Sequence, residues 1–245
     1  MKMAGILLIY ILGIYFLLTK MVQLEDEAVV EVKKTHKELS ETTHSSNEKA
    51  IQYVASNMIK EAPKIAITFD DGPSPAWTPK LLDGLKERNV KATFFLIGEN
   101  AENTPELVKR ESEEGHLVGN HTYHHVEITR VPDETAKEEI LMTNEVITGI
   151  TGEEVSYMRP PFGAWQKKLE WELDVMPVMW TIDPLDWATN NEDEIVNKVV
   201  TQAKENDIIL LHDCYESSVN AALRIVDILQ KEGFEFVTVD ELIMN

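Results

Sequence analysis

Residues 64–74 read KIAITFDDGPS: an apolar run that ends in two adjacent carboxylates and a glycine-proline turn. Lys64 to Phe69 reads as a strand. Outward from it, short apolar runs alternate with amphipathic stretches. A helix over Trp77 to Arg88 leads to a strand over Ala92 to Ile97. The next helix starts from an N-cap at Thr104, with Pro105 in its first turn, and stops at Gly115. Further strands are expected near Leu117 to Gly119, Ser156 to Arg159, Val175 to Ile182, Asp207 to Leu211 and Glu235 to Val237. Helices are expected over Asp133 to Thr148, Gln166 to Leu173, Asn191 to Glu205, Ser218 to Lys231 and Asp240 to Met244. This alternation predicts an α/β fold with a parallel sheet and helices on its faces, closed into a barrel or open and doubly wound.

The chain has 245 residues, enough for one sizeable core, and its 43% hydrophobic and 27% charged residues are ordinary for a globular domain. With 43 acidic against 23 basic residues the formal charge is −20. That balance speaks against nucleic acid or an anionic lipid surface as a partner and leaves neutral or cationic substrates open. Cys214 is the only cysteine, so no intramolecular disulfide can form, and a small buried apolar role is expected of it.

Met3 to Thr19 contain no charge, and Ala4 to Leu18 are almost wholly Ile, Leu, Tyr, Phe, Ala and Gly. As a helix this run is ~25 Å long at ~1.5 Å per residue, enough to span a bilayer if Lys20 snorkels and Met21 to Leu24 extend it. No small-x-small cleavage site follows Leu18. Residues 1–22 are therefore expected to be a single-pass transmembrane helix rather than a signal peptide, with the bulk of the chain outside the cell membrane; cleavage would make it a secreted protein. Residues 23–62 read as a polar stalk without the apolar content for a core, in which His36 and His44 are solvated. Residues 63–245 make up the folded domain.

Five polar clusters fall just behind predicted strands, where the loops of parallel α/β folds converge on an active site. In Asp70-Asp71-Gly72-Pro73 the two acids can point in different directions, one to a cation and one free as a base; a plain capped turn is the alternative. In His121-Thr122-Tyr123-His124-His125, two histidines four residues apart can face the same way and hold zinc or a similar cation, with His124 facing elsewhere. Arg159-Pro160-Pro161-Phe162-Gly163 is stiffened by its prolines and can present a backbone N–H to an oxyanion, or be no more than a tight turn. Asp183-Pro184-Leu185-Asp186-Trp187 and Leu210-Leu211-His212-Asp213 say less alone: an Asp beside a Trp is more often a capped turn, and a lone His at a strand end is more often structural.

In this order and spacing, the clusters resemble the motifs of the polysaccharide deacetylases of carbohydrate esterase family 4, the NodB homology domain, over Lys64 to about Asn245. The resemblance implies a distorted (β/α) barrel of about seven parallel strands that hydrolyses N- or O-acetyl groups on a sugar polymer. It implies Asp71, His121 and His125 as ligands of a divalent metal, zinc first, with cobalt, manganese or iron as alternatives. By the same resemblance Asp70 is the general base, Arg159 orients it, His212 is the general acid and Asp186 holds His212. The N–H of Phe162 would face the oxyanion, and Trp187 and Leu210 would line the acetyl pocket. Three positions depart from the pattern: Phe162 stands where many relatives have Tyr, Pro184 where a small residue is common, and Val126 where Pro often follows the second histidine. These departures bear on specificity rather than on activity.

The expected substrate is peptidoglycan, at its N-acetylglucosamine or N-acetylmuramic acid residues, because an anchor and a stalk favour a cell-wall glycan. Chitin oligomers, xylan or an exopolysaccharide are the alternatives. A non-catalytic carbohydrate-binding module would keep the fold and lose one of Asp70, Asp71, His121, His125 or His212, and all five are present. A metalloprotease would carry His-Glu-x-x-His, which this sequence lacks.

Overall fold

The protein is described from a computed structural model at residues 62–171 and 173–244, with Thr19 and Lys20. Apart from Thr19, Lys20 and Ala62, the expected anchor and stalk lie outside the described residues. Among the described residues no helix is long and apolar enough to cross a membrane.

Within the described residues seven strands, all parallel, form one sheet: β1 (Lys64–Asp70), β2 (Thr93–Leu96), β3 (Leu117–Asn120), β4 (Tyr157–Met158), β5 (Met176–Pro177), β6 (Ile208–His212) and β7 (Glu235–Phe236). Their order is β5-β4-β3-β2-β1-β6, with β7 beside the start of β1. Between them lie α1 (Thr78–Glu87), α2 (Gly98–Asn103), α3 (Pro105–Glu113), α4 (Asp133–Thr151), α5 (Glu192–Val200) and α6 (Glu216–Lys231), and α7 (Val239–Ile243) follows β7.

The sheet curls into a half-barrel, and the chain leaving β5 bridges its two edges. Val178 N–H donates to the Met158 carbonyl at 2.8 Å; three residues on, Thr181 N–H donates to Ile208 and Leu210 N–H to Ile182, each at 2.9 Å. The single strand expected over Val175 to Ile182 is thus two short pairings with opposite edges, joined by a stretch that pairs with neither. This favours the barrel over the open, doubly wound alternative.

Side chains alternate across β1. Ile65, Ile67 and Phe69 join Phe94, Leu96, Ile209 and Leu211 in the larger core, under Leu81, Leu82 and Leu85 of α1 and Val219 and Ile225 of α6. Ala66 faces the concave side, where Phe95, Val178, Val237, Val239 and Leu242 meet it. The C-terminal segment therefore fills the bottom of the concavity, and α7 is started by a capping box between Thr238 and Glu241. Thr68 and Asp70 share this inner side, so the polar end of β1 emerges at the top.

Other differences from expectation are local. Helix α2 escapes the sequence reading because its residues GENAEN offer only Gly98 and Ala101 to the interior. Its presence redirects Thr104, whose hydroxyl donates to the Asn100 carbonyl at 2.7 Å and makes no side-chain cap on α3. The helix expected over Gln166 to Leu173 is a 3₁₀ turn, Lys167–Trp171. Helix α5 stops at Val200, short of Glu205, because Asp207 accepts from Lys204 N–H at 2.8 Å and Asn206 takes φ +70° in a turn.

Glu111 of α3 is fully buried, and neither carboxyl oxygen has a hydrogen-bond partner. Burial raises its carboxyl well above the usual 4.5, and the charge of Asp213 adds to the effect. Because the folded state holds this proton more tightly than the unfolded chain, the stability it contributes is complete below about 4.5 and is lost as pH climbs through the raised folded value. Replacing Glu111 by Leu should stabilise the protein by about 1 to 3 kcal/mol at pH 8, with a smaller gain at pH 5. Urea unfolding of both proteins at the two pH values checks the size and the sign.

Candidate active site

Parallel pairing brings the C-terminal strand ends to one rim. Asp70, the last residue of β1, is the Cα partner of His212, the last residue of β6, and of Phe95 on the other side. Arg159, one residue beyond β4, is fully buried and reaches across the concavity. Its Nη1 donates to Asp70 Oδ1 at 2.8 Å and to Thr68 Oγ1 at 2.6 Å; Nε donates to the Val178 carbonyl at 3.2 Å and Nη2 to the Met179 carbonyl at 3.3 Å. The guanidinium lies 4.4 Å from the centre of the Phe95 ring, a cation–π contact that also fixes its plane. One oxygen of Asp70 is thereby committed to Arg159. The other, Oδ2, lies 3.9 Å from His121 Nε2.

Asp71, His121 and His125 converge on one point. Asp71 Oδ1 lies 3.3 Å from His121 Nε2 and 3.4 Å from His125 Nε2, and it is a buried oxygen with no hydrogen-bond partner. His121 Nδ1 sits 2.6 Å from the Arg159 carbonyl. That contact assigns the proton to Nδ1 and leaves Nε2 as a lone-pair donor, the arrangement that supports metal-ligating histidines. Burial raises the Asp71 carboxyl, but His121, His212 and His125 around it outweigh burial and hold it below the usual carboxylate range. Burial, with the neighbouring His121, pushes the His125 imidazole down toward its neutral form. An orphaned carboxylate oxygen facing two imidazole nitrogens, all within 4.8 Å, fits a divalent transition metal with positions left open.

His212 closes the other side of the rim. Its Nδ1 is 2.8 Å from Asp186 Oδ1, and its own backbone N–H donates to Asp186 Oδ2 at 2.8 Å. Asp186, almost fully buried, grips ring and main chain together. Burial works against a charged imidazole here, but Asp186, through hydrogen bond and charge, and then Asp70 and Asp71 carry His212 up to about 9. At neutral pH it holds a proton on Nε2, the nitrogen 3.9 Å from Asp71 Oδ2.

The Phe162 ring meets the His125 ring edge-on at 4.9 Å, and Trp187 stands 57% exposed on the turn that carries Asp186. Leu210 lies two residues before His212 on the same face of β6, beside Thr68 in the register. Seven non-glycine residues among those described have positive φ, and five of them, Asp71, Thr122, His125, Phe162 and Leu185, belong to these loops. Backbone of this kind is unfavourable and persists only where the surroundings impose it. A cavity of about 380 Å³ lies at the opposite ends of β4 and β5, lined by residues such as Ser156 and Met176, and contains none of the residues above.

Some supporting residues were given no role in the sequence reading. Thr68 receives Arg159 and donates to the Ile209 carbonyl at 2.7 Å. Asn100 of α2 holds the Asp71 carbonyl at 2.9 Å. Beneath the turn of residues 71–74, Thr78 Oγ1 accepts from Ser74 N–H at 2.7 Å and donates to Asp213, whose carboxyl burial pushes up to about 7. Gly72 is required there, since a Cβ would stand 2.5 Å from the Asp213 carboxyl. Cys214 is half-buried rather than buried, and burial pushes its thiol to about 12, which leaves it inert as a nucleophile.

With a parallel half-barrel and a His-His-Asp group at its rim, the chain belongs to the polysaccharide deacetylase family, whose sequence pattern matches residues 57–178. It is 40% identical over 186 residues to a peptidoglycan-N-acetylglucosamine deacetylase of Bacillus cereus, covering 73% of this chain and 68% of that protein. It is 38% identical over 219 residues to the peptidoglycan-N-acetylglucosamine deacetylase PgdA of Listeria monocytogenes, covering 86% of this chain and 46% of that one, so it spans about half the length of this relative. The solved structure of peptidoglycan deacetylase PdaC from Bacillus subtilis superposes with a TM-score of 0.73 at 38% identity, over 74% of this chain and 90% of that chain. Chitooligosaccharide deacetylases of rhizobia are also similar.

Thr78→Val should cost about 1 to 3 kcal/mol of stability, because it leaves the buried Asp213 carboxyl and Ser74 N–H without their shared partner. It should also weaken Co²⁺ binding by loosening the Asp71 turn. Thermal unfolding of the metal-free protein and a Co²⁺ titration measure the two effects separately.

Proposed function

We propose that this protein is a metal-dependent hydrolase that removes N-acetyl groups from the sugars of peptidoglycan, acting on the outer side of the cell membrane. The observation that carries the reading is the arrangement of side chains at the end of β1. Asp70 has one oxygen locked by Arg159 and the other turned toward the group formed by Asp71, His121 and His125, with His212 facing the same point from β6.

Asp71, His121 and His125 would hold the metal, zinc first among those such donors suit. A divalent metal held there would supply Lewis acidity, able to lower the pKa of water to roughly 7 and to polarise an acetyl carbonyl. The chain's own residues do the rest. Asp70 accepts the proton of the attacking water, and Arg159 and Thr68 hold its carboxylate in the direction that allows this. As the carbon–nitrogen bond breaks, His212 delivers the proton on Nε2 to the departing amine, and Asp186 keeps the ring protonated on both nitrogens and correctly turned. Acetate and a free amino sugar result. By the family resemblance, the backbone N–H of Phe162 would face the developing oxyanion, a contact worth about 3 kcal/mol in the transition state, and Trp187 and Leu210 would bound the acetyl methyl.

The glycan is assigned from the relatives named as peptidoglycan deacetylases and from the apolar N-terminal run, Ala4 to Leu18, which would tether the catalytic domain beside the cell wall. Residues 1–22 are read as the anchor, 23–62 as the stalk and 63–245 as the catalytic domain. Similarity to chitooligosaccharide deacetylases makes chitin oligomers the second reading.

Acetate release from purified peptidoglycan, with metal supplied, is the direct test. Asp70→Asn should reduce the rate by about 10² to 10⁴, the usual weight of a general base, and Asp186→Asn by a comparable factor through loss of the charged His212. Release from chitin oligomers but not from peptidoglycan would keep the chemistry and overturn the substrate.

A further inference from the structure

Between the two histidines of the His-His-Asp group the chain makes a tight loop, and two of its residues, Thr122 at φ +61° and His125 at φ +56°, have left-handed backbone that side chains disfavour. Something outside the loop has to impose that shape. Helix α4 does so at two places. The side-chain amide of Asn120 donates to the Ile140 carbonyl at 2.8 Å and to Asn144 Oδ1 at 2.6 Å, while its oxygen accepts from Thr122 N–H at 2.7 Å. Glu139, 7% exposed, places both carboxylate oxygens on one residue: Oε2 accepts from His124 N–H at 2.8 Å, and Oε1 lies 2.8 Å from His124 Nδ1.

We propose that Glu139 is a positioning residue for the metal site, acting through His124 to hold the neighbouring His125 in the backbone conformation that aims Nε2 at Asp71 Oδ1. The inference rests on the reading of Asp71, His121 and His125 as metal ligands. Glu139 touches neither ligand nor substrate. It secures both main chain and ring of the residue immediately before His125. His124, which faces away from the three ligands, is the handle by which the helix grips the loop.

The test is Co²⁺ binding to the full-length protein, followed by calorimetry and by the visible absorption of the bound ion. Glu139→Ala should weaken Co²⁺ affinity about 10- to 100-fold, the usual effect of removing an outer partner of a metal ligand, and should change the ligand-field spectrum. Turnover should recover to within a few-fold when metal is saturating. Glu139→Gln, which keeps an oxygen acceptor for the His124 N–H, should restore most of the affinity. His124→Ala, which removes the ring arm alone, should lose less than Glu139→Ala. Unchanged affinity and spectrum in Glu139→Ala would overturn the proposal, as would a loss of affinity that merely tracks a fall in the melting temperature of the metal-free protein and is not rescued by Gln. If the unsubstituted protein binds no Co²⁺, the ligand reading itself fails and the proposal falls with it.

Discussion

A buried arginine sets the geometry on which the rest of the site depends. Arg159 crosses the concave side of the half-barrel with no exposure to solvent and ties Asp70 and Thr68 of β1 to the carbonyls of Val178 and Met179 beyond β5. Its own carbonyl holds His121. One residue therefore links a carboxylate, an imidazole and the segment that bridges the two sheet edges. Neutralising its partner would strand a buried charge, a change that costs about 3 to 5 kcal/mol, so the site and the closure of the fold share a single constraint.

Around that pair, two adjacent aspartates are given different surroundings by the pleat of β1 and by the turn at its end. Asp70 ends a strand and points inward with Thr68 and Ala66; Asp71 turns out of the strand at φ +72°, and its oxygen meets two imidazoles with no hydrogen-bond partner of its own. The same separation appears in the histidines. His125 lies where burial and a neighbouring imidazole favour a neutral, donating ring, and His212 lies between carboxylates that favour a charged one. Charges placed on strand ends that the sheet brings together thus set a neutral imidazole apart from a charged one.

Much of this was legible in the chain. The alternation of apolar runs with amphipathic stretches located all seven strands near their observed positions, because burial on both faces of a parallel sheet demands continuous apolar residues. The candidate residues Asp70, Asp71, His121, His125, Arg159, His212 and Asp186 do meet at one rim. What escaped were elements whose formation depends on neighbours. Helix α2 has almost no apolar face, the 3₁₀ turn at Lys167–Trp171 has a helix-like composition, and the stretch 175–182 looked like one strand because both of its ends pair.

By itself the sequence determined the repertoire: which strands form, which polar groups sit just behind them, and that a carboxylate pair and a histidine pair stand at spacings suited to a metal. These follow from local periodicity and from the chemistry of the side chains. Only the tertiary structure decided the pairings. Register placed Asp70 opposite His212, 142 residues apart, and put Arg159 within 2.8 Å of Asp70 from 89 residues away. It also set Glu139 against His124 and Asp213 beneath Gly72. Contacts between residues distant in the chain arise from the order in which strands join the sheet and the direction from which each helix returns, and no local pattern encodes those.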